Sequence, residues 1–456
     1  MSYQNLEEAI TAAGSPVTLL RSSQLGPYVY PVVPPEFTNW RDEQRAWQQS
    51  VALFNQSFHM TDMWIEGPDA LKLLRDFGIN SFQNFGPDKA KQYVSCNADG
   101  HVIGDAILFC FNENKYNLVG RPAVHNWLQY QCETGNYNAK IERDERSVVR
   151  QGPPVRKTYR FQVQGPNAPK LIEKLLGKAT PDIKFFHTGE FTIAGRKVMA
   201  LRHGMVGQPG WELYGPWAEG DDVKNAIIEA GKEFDLRQVG ARAYSSNTLE
   251  SGWIPSPMPA IYTGEKLKGY RQWLPANGYE ATASLGGSFV SQNIADYYLT
   301  PNDIGYGTMV KFDHDFVGRE ALEKMAGKEK RKKVTLVWNK DDATRAIGSL
   351  FGDAPGAKYI DFPSAVYSTL PYDKVVSGGK SAGLSTWTGY SFNERKMLSL
   401  GIVDAEYSEP GTALTVVWGE ERSTRPTVER HAQTEVRVTV APVPYAQVAR
   451  SAYRPK

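Results

Sequence analysis

Apolar residues recur at helical spacing over residues 3–14 and again over 40–54, which predicts two amphipathic helices. Between them runs Gly26-Pro-Tyr-Val-Tyr-Pro-Val-Val-Pro-Pro35, an extended strap stiffened by proline. Further on, one plan occurs twice. Met63-Trp-Ile-Glu-Gly-Pro-Asp-Ala-Leu-Lys-Leu-Leu74 alternates as a strand does, turns at Gly-Pro, then takes up helical spacing. Arg160-Phe-Gln-Val-Gln-Gly-Pro-Asn-Ala-Pro-Lys-Leu-Ile172 does the same. Pro68 and Pro166 fall near helix starts, where a missing N–H costs little. Two successive copies predict two related α+β units. After the like-charged run Lys328-Glu-Lys-Arg-Lys-Lys333, expected to be a solvated connector, the texture changes. Short β-rich runs at 334–338, 399–403, 413–418 and 435–440, divided by turn residues, predict an all-β barrel or sandwich. The expected organisation is therefore an α+β protein of three domains, 1–150, 151–333 and 334–456.

Composition narrows the function classes. With 456 residues, 41% apolar and 22% charged, the chain is long enough for several cores and is neither disordered nor fibrous. The formal charge of +2 argues against a dedicated nucleic-acid binder, and no stretch nears the ~18 uninterrupted apolar residues of a membrane span. The opening residues carry neither a secretory nor a mitochondrial leader pattern, so a cytoplasmic location is expected. Cys96, Cys110 and Cys132 have no metal or redox spacing, and Cys110 reads as a small buried apolar residue. The seven histidines are scattered, and no metal site is expected. Gly379-Lys-Ser-Ala-Gly383 fits Gly-x-Ser-x-Gly, but the sequel Leu384-Ser-Thr-Trp-Thr-Gly389 is not helical, so a nucleophile elbow is not expected. Aromatic residues reach 12%, with 23 Tyr, which suits flat ligands as well as ordinary cores.

Longer segments, taken in order, resemble the aminomethyltransferase (T-protein) family of the glycine cleavage system. They are Leu53-Phe-Asn-Gln-Ser-Phe-His-Met60, Asn97-Ala-Asp-Gly-His-Val-Ile-Gly-Asp105, Gln164-Gly-Pro-Asn-Ala168, Gly210-Trp-Glu-Leu213, Gly240-Ala-Arg242 through Leu249-Glu250, and Tyr306 to Leu322. Within that family the chain is similar to the tetrahydrofolate-dependent O-demethylases of methoxylated aromatic acids. Tyr28-Val-Tyr-Pro-Val-Val33, Tyr93, the run Ala243-Tyr-Ser-Ser-Asn-Thr-Leu-Glu-Ser-Gly-Trp253 and Gly286-Gly-Ser-Phe-Val-Ser-Gln-Asn-Ile294 carry this likeness. The resemblance implies a three-domain cloverleaf with folate in a central channel and tetrahydrofolate as methyl acceptor. Syringate is the first choice of substrate, with vanillate or 3-O-methylgallate as alternatives. A non-catalytic folate-binding regulatory protein of the same fold is the rival class. Expected partners are small molecules alone, with no nucleic acid and no membrane; oligomeric state is left open.

Site roles follow from the same resemblance. Displacement at a methyl carbon needs an acid at the departing phenoxide, and Tyr244, in the first turn of a helix predicted over 241–251 and ended by Gly252, is the candidate. A tyrosine with its ordinary pKa near 10 would match a leaving phenol. Arg121 is assigned to the substrate carboxylate or to a neighbouring polar group of the substrate, since a guanidinium meets a carboxylate in bidentate fashion. Tyr28, Gln56 and His59 complete the aromatic pocket. Glu212 is assigned to the pterin ring, Trp253 to stacking on it or walling it, and Gln164 to supporting the backbone near it. Gly104 stands where the aminomethyltransferases carry the first of two acids; only Asp105 remains, here read as no more than a turn residue.

Overall fold

The structure, a computed structural model, describes residues 3–149, 154–255, 257–353 and 355–451. The chain opens with α1 (Leu6–Ala13), α2 (Pro16–Ser22) and α3 (Trp40–Gln49). The helix expected over 40–54 stops at Gln49, because Val51–Asn55 form a strand, β1, held in a sheet on both sides. Then come β2 (Thr61–Glu66), α4 (Ala70–Phe77), β3 (Lys89–Cys96), β4 (Val102–Asn112), β5 (Lys115–Gly120), α5 (Pro122–Thr134) and β6 (Lys140–Asp144). The second unit holds β7 (Thr158–Gln164), α6 (Ala168–Leu176), β8 (Thr188–Ile193), β9 (Arg196–Arg202), β10 (Gly210–Pro216), α7 (Gly220–Gly231), β11 (Leu236–Val239) and α8 (Ala241–Ser251).

These strands make two sheets, β3-β4-β5-β2-β6 and β11-β1-β7-β10-β9-β8. The repeated plan is present in both. Gly67 and Gly165 follow β2 and β7 with φ of 143° and 138°, and an added Cβ would lie 2.5 Å from a carbonyl oxygen in each case. Only glycine fits such a turn. Chain order and sheet membership part at β1, which comes from the first 150 residues yet pairs with β7 and β11. The boundary drawn at 150 itself falls outside the described residues. Segments from both ends of the α+β region, α1 and α2 together with α9 (Lys268–Trp273), α10 (Tyr279–Thr282) and α11 (Arg319–Met325), contribute to the core around the first sheet.

Strand alternation sorts each sheet into an outer and an inner face. On β7, Tyr159, Phe161 and Val163 join the core under α6 and α7, whereas Arg160, Gln162 and Gln164 point the other way. On β5, Tyr116 and Leu118 join the first sheet's core, leaving Asn117 and Val119 inward. The inner faces meet: Phe109 packs edge-on to Tyr214 at 5.3 Å, and Arg160 reaches Asn117.

The C-terminal part is a closed barrel, β13-β17-β16-β15-β18-β19. Its strands are β13 (Arg331–Trp338), β15 (Asp373–Ser377), β16 (Lys380–Ser391), β17 (Lys396–Asp404), β18 (Ala413–Trp418) and β19 (Thr434–Ala441), with α12 (Lys340–Gly348) between the first two; β12 (Leu285–Gly286) and β14 (Leu370–Pro371) form a short parallel pair beside it. The connector expectation for 328–333 fails in its second half. Arg331 already starts β13 and donates to Asp303 at 3.0 Å, and the Lys333 ammonium donates to the Gly252 carbonyl at 2.8 Å. Ser381 lies exposed on a hairpin strand, which removes the nucleophile elbow on structural grounds.

Candidate active site

The helix α8 is built to hold Tyr244. It ends at Gly252 with φ 70°, as the sequence implies. Its first amides, Ala241 and Arg242, donate to the carbonyls of Pro34 and Pro35 in the proline strap at 2.9 and 3.1 Å. The helix-start donors therefore brace the strap rather than facing the pocket. Gly240 allows this approach: a Cβ at that position would stand 2.3 Å from the Pro35 oxygen. Buried Glu43 accepts from the amides of Phe37, Thr38 and Gly240 and locks strap to helix. At the other end, buried Glu250 accepts from Trp47 at 2.8 Å and Ser391 at 2.7 Å. The strap, α3, α8 and the barrel are thereby one rigid frame.

Within that frame the predicted aromatic-pocket residues converge. Gln56 Nε2 donates to Tyr244 Oη at 2.9 Å, and the Tyr28 hydroxyl donates to the His59 carbonyl. The His59 ring lies 5.0 Å from Tyr244, and Tyr30 lies 4.5 Å from Tyr244 and 4.9 Å from His59. The Arg121 guanidinium sits 4.0 Å from the Tyr28 ring centre and 5.8 Å from that of Trp387. Its Nη1, like Gln56 Oε1 and His59 Nδ1, is buried with no hydrogen-bond partner. Unpaired polar atoms in a dry space are costly unless a ligand meets them.

Electrostatics follow from burial. Burial, reinforced by Arg121, Arg156 and Arg146, pushes His59 down to about 3, so its imidazole is neutral. Burial pushes the Tyr244 phenol well above its ordinary value, and Tyr30 and Glu212 nearby push the same way, partly offset by the Gln56 hydrogen bond. The ordinary value near 10 expected for this acid therefore does not hold in the site.

The predicted cofactor residues occupy the adjoining inner face. Glu212 stands opposite Gln162 in the β10–β7 register, and its carboxylate accepts from Arg160 at 2.7 Å. Burial raises the Glu212 pKa and Arg160 works against the rise. Arg160 also donates to Asp62 at 2.7 Å and Asn117 at 2.8 Å, tying the two sheets together. Gln164 Oε1 accepts from the Met205 amide at 2.7 Å, while Gln164 Nε2 and Gln162 Oε1 are buried and unpaired. An unpaired donor and acceptor beside a carboxylate match an aminopyrimidine edge, which carries both N–H groups and a carbonyl. These residues fit a pterin. Trp253 is 38% exposed, with Nε1 donating to Tyr306 Oη at 2.9 Å. Asp105 is no turn residue. It lies within β4, accepts from Gln92 at 2.6 Å and Tyr306 at 2.7 Å, and burial raises its pKa. Gly104 lets α5 close in, since an added Cβ would meet the Val124 nitrogen at 3.0 Å.

Gln162 on the cofactor face was missed, as were three residues of the aromatic pocket. Tyr30 shares the strap with Tyr28, two positions on, and that spacing could have found it. Trp387 comes from a bulge in β16, with φ 53°, its indole N–H donating to the Ser245 carbonyl at 2.8 Å. Arg146 follows β6, 5.2 Å from the Tyr28 ring. Neither had a local signal. Among the described residues no His, Cys, Asp and Glu cluster could hold a metal ion, and no helix is long and apolar enough to cross a membrane.

A family model, GCVT N-terminal domain, matches residues 22–256. The chain is 52% identical to syringate O-demethylase from Sphingobium sp. (strain NBRC 103272 / SYK-6), over 99% of this chain and 98% of the relative. It is 32% identical to sesamin methylene transferase from Sinomonas sp. (strain No.22), over 84% and 82%. Among solved structures, the glycine cleavage system aminomethyltransferase T from Bartonella henselae matches with a TM-score of 0.60 at 16% identity, covering 94% of this chain and 97% of that one, a likeness of fold.

Proposed function

The chain belongs to the aminomethyltransferase (T-protein) family, and from that footing we propose that it takes the methyl group of a methoxy-substituted aromatic acid to tetrahydrofolate, with syringate as first substrate. It is a tetrahydrofolate-dependent enzyme of aryl methyl ethers. Syringate leads because a relative of 52% identity carries that name; vanillate and 3-O-methylgallate differ by single ring substituents. Bound tetrahydrofolate supplies the nucleophile, its N5 amine, whose methylation releases one proton, the number that the departing phenoxide takes up.

The observation that carries the reading is the hydroxyl of Tyr244. Gln56 donates to its oxygen at 2.9 Å, which leaves the Tyr244 proton free to be given to a third atom. The ether oxygen of a ring held among Tyr28, Tyr30 and His59 is that atom in our reading. Burial keeps Tyr244 protonated until the carbon–oxygen bond breaks. The same dry surroundings raise the pKa of the leaving phenol, so donor and acceptor stay matched although both have moved. Neutral His59 adds no charge against a developing phenoxide and is an uncharged wall. Arg121 offers an unmet guanidinium for the acid group, fixing which end of the ring faces Tyr244. Glu212, Gln162 and Gln164 hold the pterin on the adjoining face.

The test is an incubation of purified protein with tetrahydrofolate and syringate, anaerobically and with chelator. The expected result is equimolar 5-methyltetrahydrofolate and demethylated phenol. Folate binding without product would overturn the reading in favour of a binding protein.

A further inference from the structure

Two guanidinium groups approach one ring. Arg121 lies 4.0 Å from the centre of Tyr28 and Arg146 lies 5.2 Å from it, so their carbons are no more than about 9 Å apart, the limit set by those distances. A carboxylate that accepts from two guanidiniums at ordinary charge-assisted lengths separates their carbons by roughly 8 Å. Arg146 also lies 5.3 Å from the Tyr279 ring. Among the described residues neither arginine has a carboxylate partner, and Arg121 Nη1 and Arg146 Nε are both buried and unbonded. The nearby Glu280 carboxylate is taken: Asn126 donates to both of its oxygens, at 2.9 and 3.0 Å. Arg146 lies two residues past Asp144, whose carboxylate Arg156 binds at 3.0 Å. Two cations beside one ring, neither ion-paired among the described residues, offer their charge to an incoming anion.

We propose that Arg146 is the second half of a carboxylate clamp, joining Arg121 across Tyr28 to receive the acid group of the aromatic substrate and to impose the requirement for that group. The inference rests on the methyl-transfer reading above and names what selects its substrate. A carboxylate has lone pairs enough for both arginines, whereas an amide offers neither the charge nor a second accepting oxygen. Arg146 is thus a specificity residue, remote from the bond that breaks.

The experiment is calorimetric binding without folate, using 4-hydroxybenzoate, which has no methyl group to lose, and 4-hydroxybenzamide as its neutral counterpart. Arg146→Gln is expected to weaken acid binding about 10–100-fold and leave amide binding unchanged, with Arg146→Lys between. Tetrahydrofolate affinity stays as in the wild type, and thermal melts check that each variant is folded. Equal acid binding in wild type and Arg146→Gln overturns the clamp, as does an equal loss for acid and amide, which marks a packing role. A loss confined to tetrahydrofolate would assign Arg146 to the cofactor instead and also overturn it. Wild-type protein that binds neither aromatic compound removes the clamp and the parent reading together, whereas tight acid binding insensitive to residue 146 removes the clamp alone.

Discussion

Replacing Tyr244 by Phe deletes one oxygen from a fully packed position. The ring keeps its neighbours, Tyr30 at 4.5 Å, His59 at 5.0 Å and Phe54 at 5.3 Å, so the pocket wall stays in place. What is lost is the proton donor and the acceptor for Gln56 Nε2, which retains only the Met205 sulfur at 3.4 Å. Positioned acid catalysis contributes about 10²–10⁴ in rate, or roughly 3–5 kcal/mol of barrier. The orphaned amide costs about 1–3 kcal/mol of stability. Both effects are separable. Single-turnover assays of 5-methyltetrahydrofolate formation report the first, and urea denaturation reports the second. The aromatic acid should bind as before, so kcat and kcat/KM should fall together. A companion variant, Tyr244→Phe with Gln56→Leu, replaces both partners by apolar groups and should regain most of the stability while staying inactive. If Tyr244→Phe turns over at the wild-type rate, the proton-donor role is wrong. If the double variant regains activity along with stability, the lost rate came from packing.

Other consequences follow from the frame around the site. Asp62→Asn takes one of two carboxylate partners from each of the buried Arg160 and Arg156, which keep Glu212 and Asp144, and should cost about 1–3 kcal/mol by chemical denaturation; no change would mean that the two sheets are not joined there. Burial pushes the Glu280 carboxyl from 4.5 up to about 7, so the folded state holds a proton that the unfolded state has released between those values. Stability from this group is fully present below about pH 4.5 and is lost as pH rises through about 7, by about 3 kcal/mol in all. Glu280→Gln should flatten that part of the stability–pH curve, and an unchanged slope would refute the shift. Gly252→Ala forces a side chain into a left-handed position 2.4 Å from Val443 Cγ2, and should lower the melting temperature and loosen the end of α8. A melt unchanged within error would show that the helix end is not under this constraint.

Much of the architecture was legible because it depends on neighbours within a few residues. The strand, Gly-Pro, helix plan at 63–74 and 160–172 needs only alternation, a turn and a 3.6-residue period, and both copies fold that way. The end of α8 at Gly252 was readable for the same reason. The all-β character of the C-terminal part followed from short β-rich runs between turns, and its closure as a barrel rather than a sandwich came from the strand pairing. Glu212, Gln56, His59, Tyr28, Arg121 and Tyr244 came from the order of whole segments, which carries family likeness but no distances.

Tertiary structure decided the rest. Local pattern continued the helix of 40–49 through β1, and only pairing with β7 and β11, strands more than a hundred residues away, made it a strand. Trp387 enters the site through a bulge whose register depends on β17, and Arg146, just past the end of β6, lies 5.2 Å from the Tyr28 ring of the strap. The chemical state of His59 and Tyr244 was equally hidden, since a pKa depends on the water removed and the charges brought near, and the chain alone specifies neither. Periodicity assigns a side chain to a face. Which face meets which, and how dry the gap becomes, is settled by contacts between segments that the sequence holds far apart.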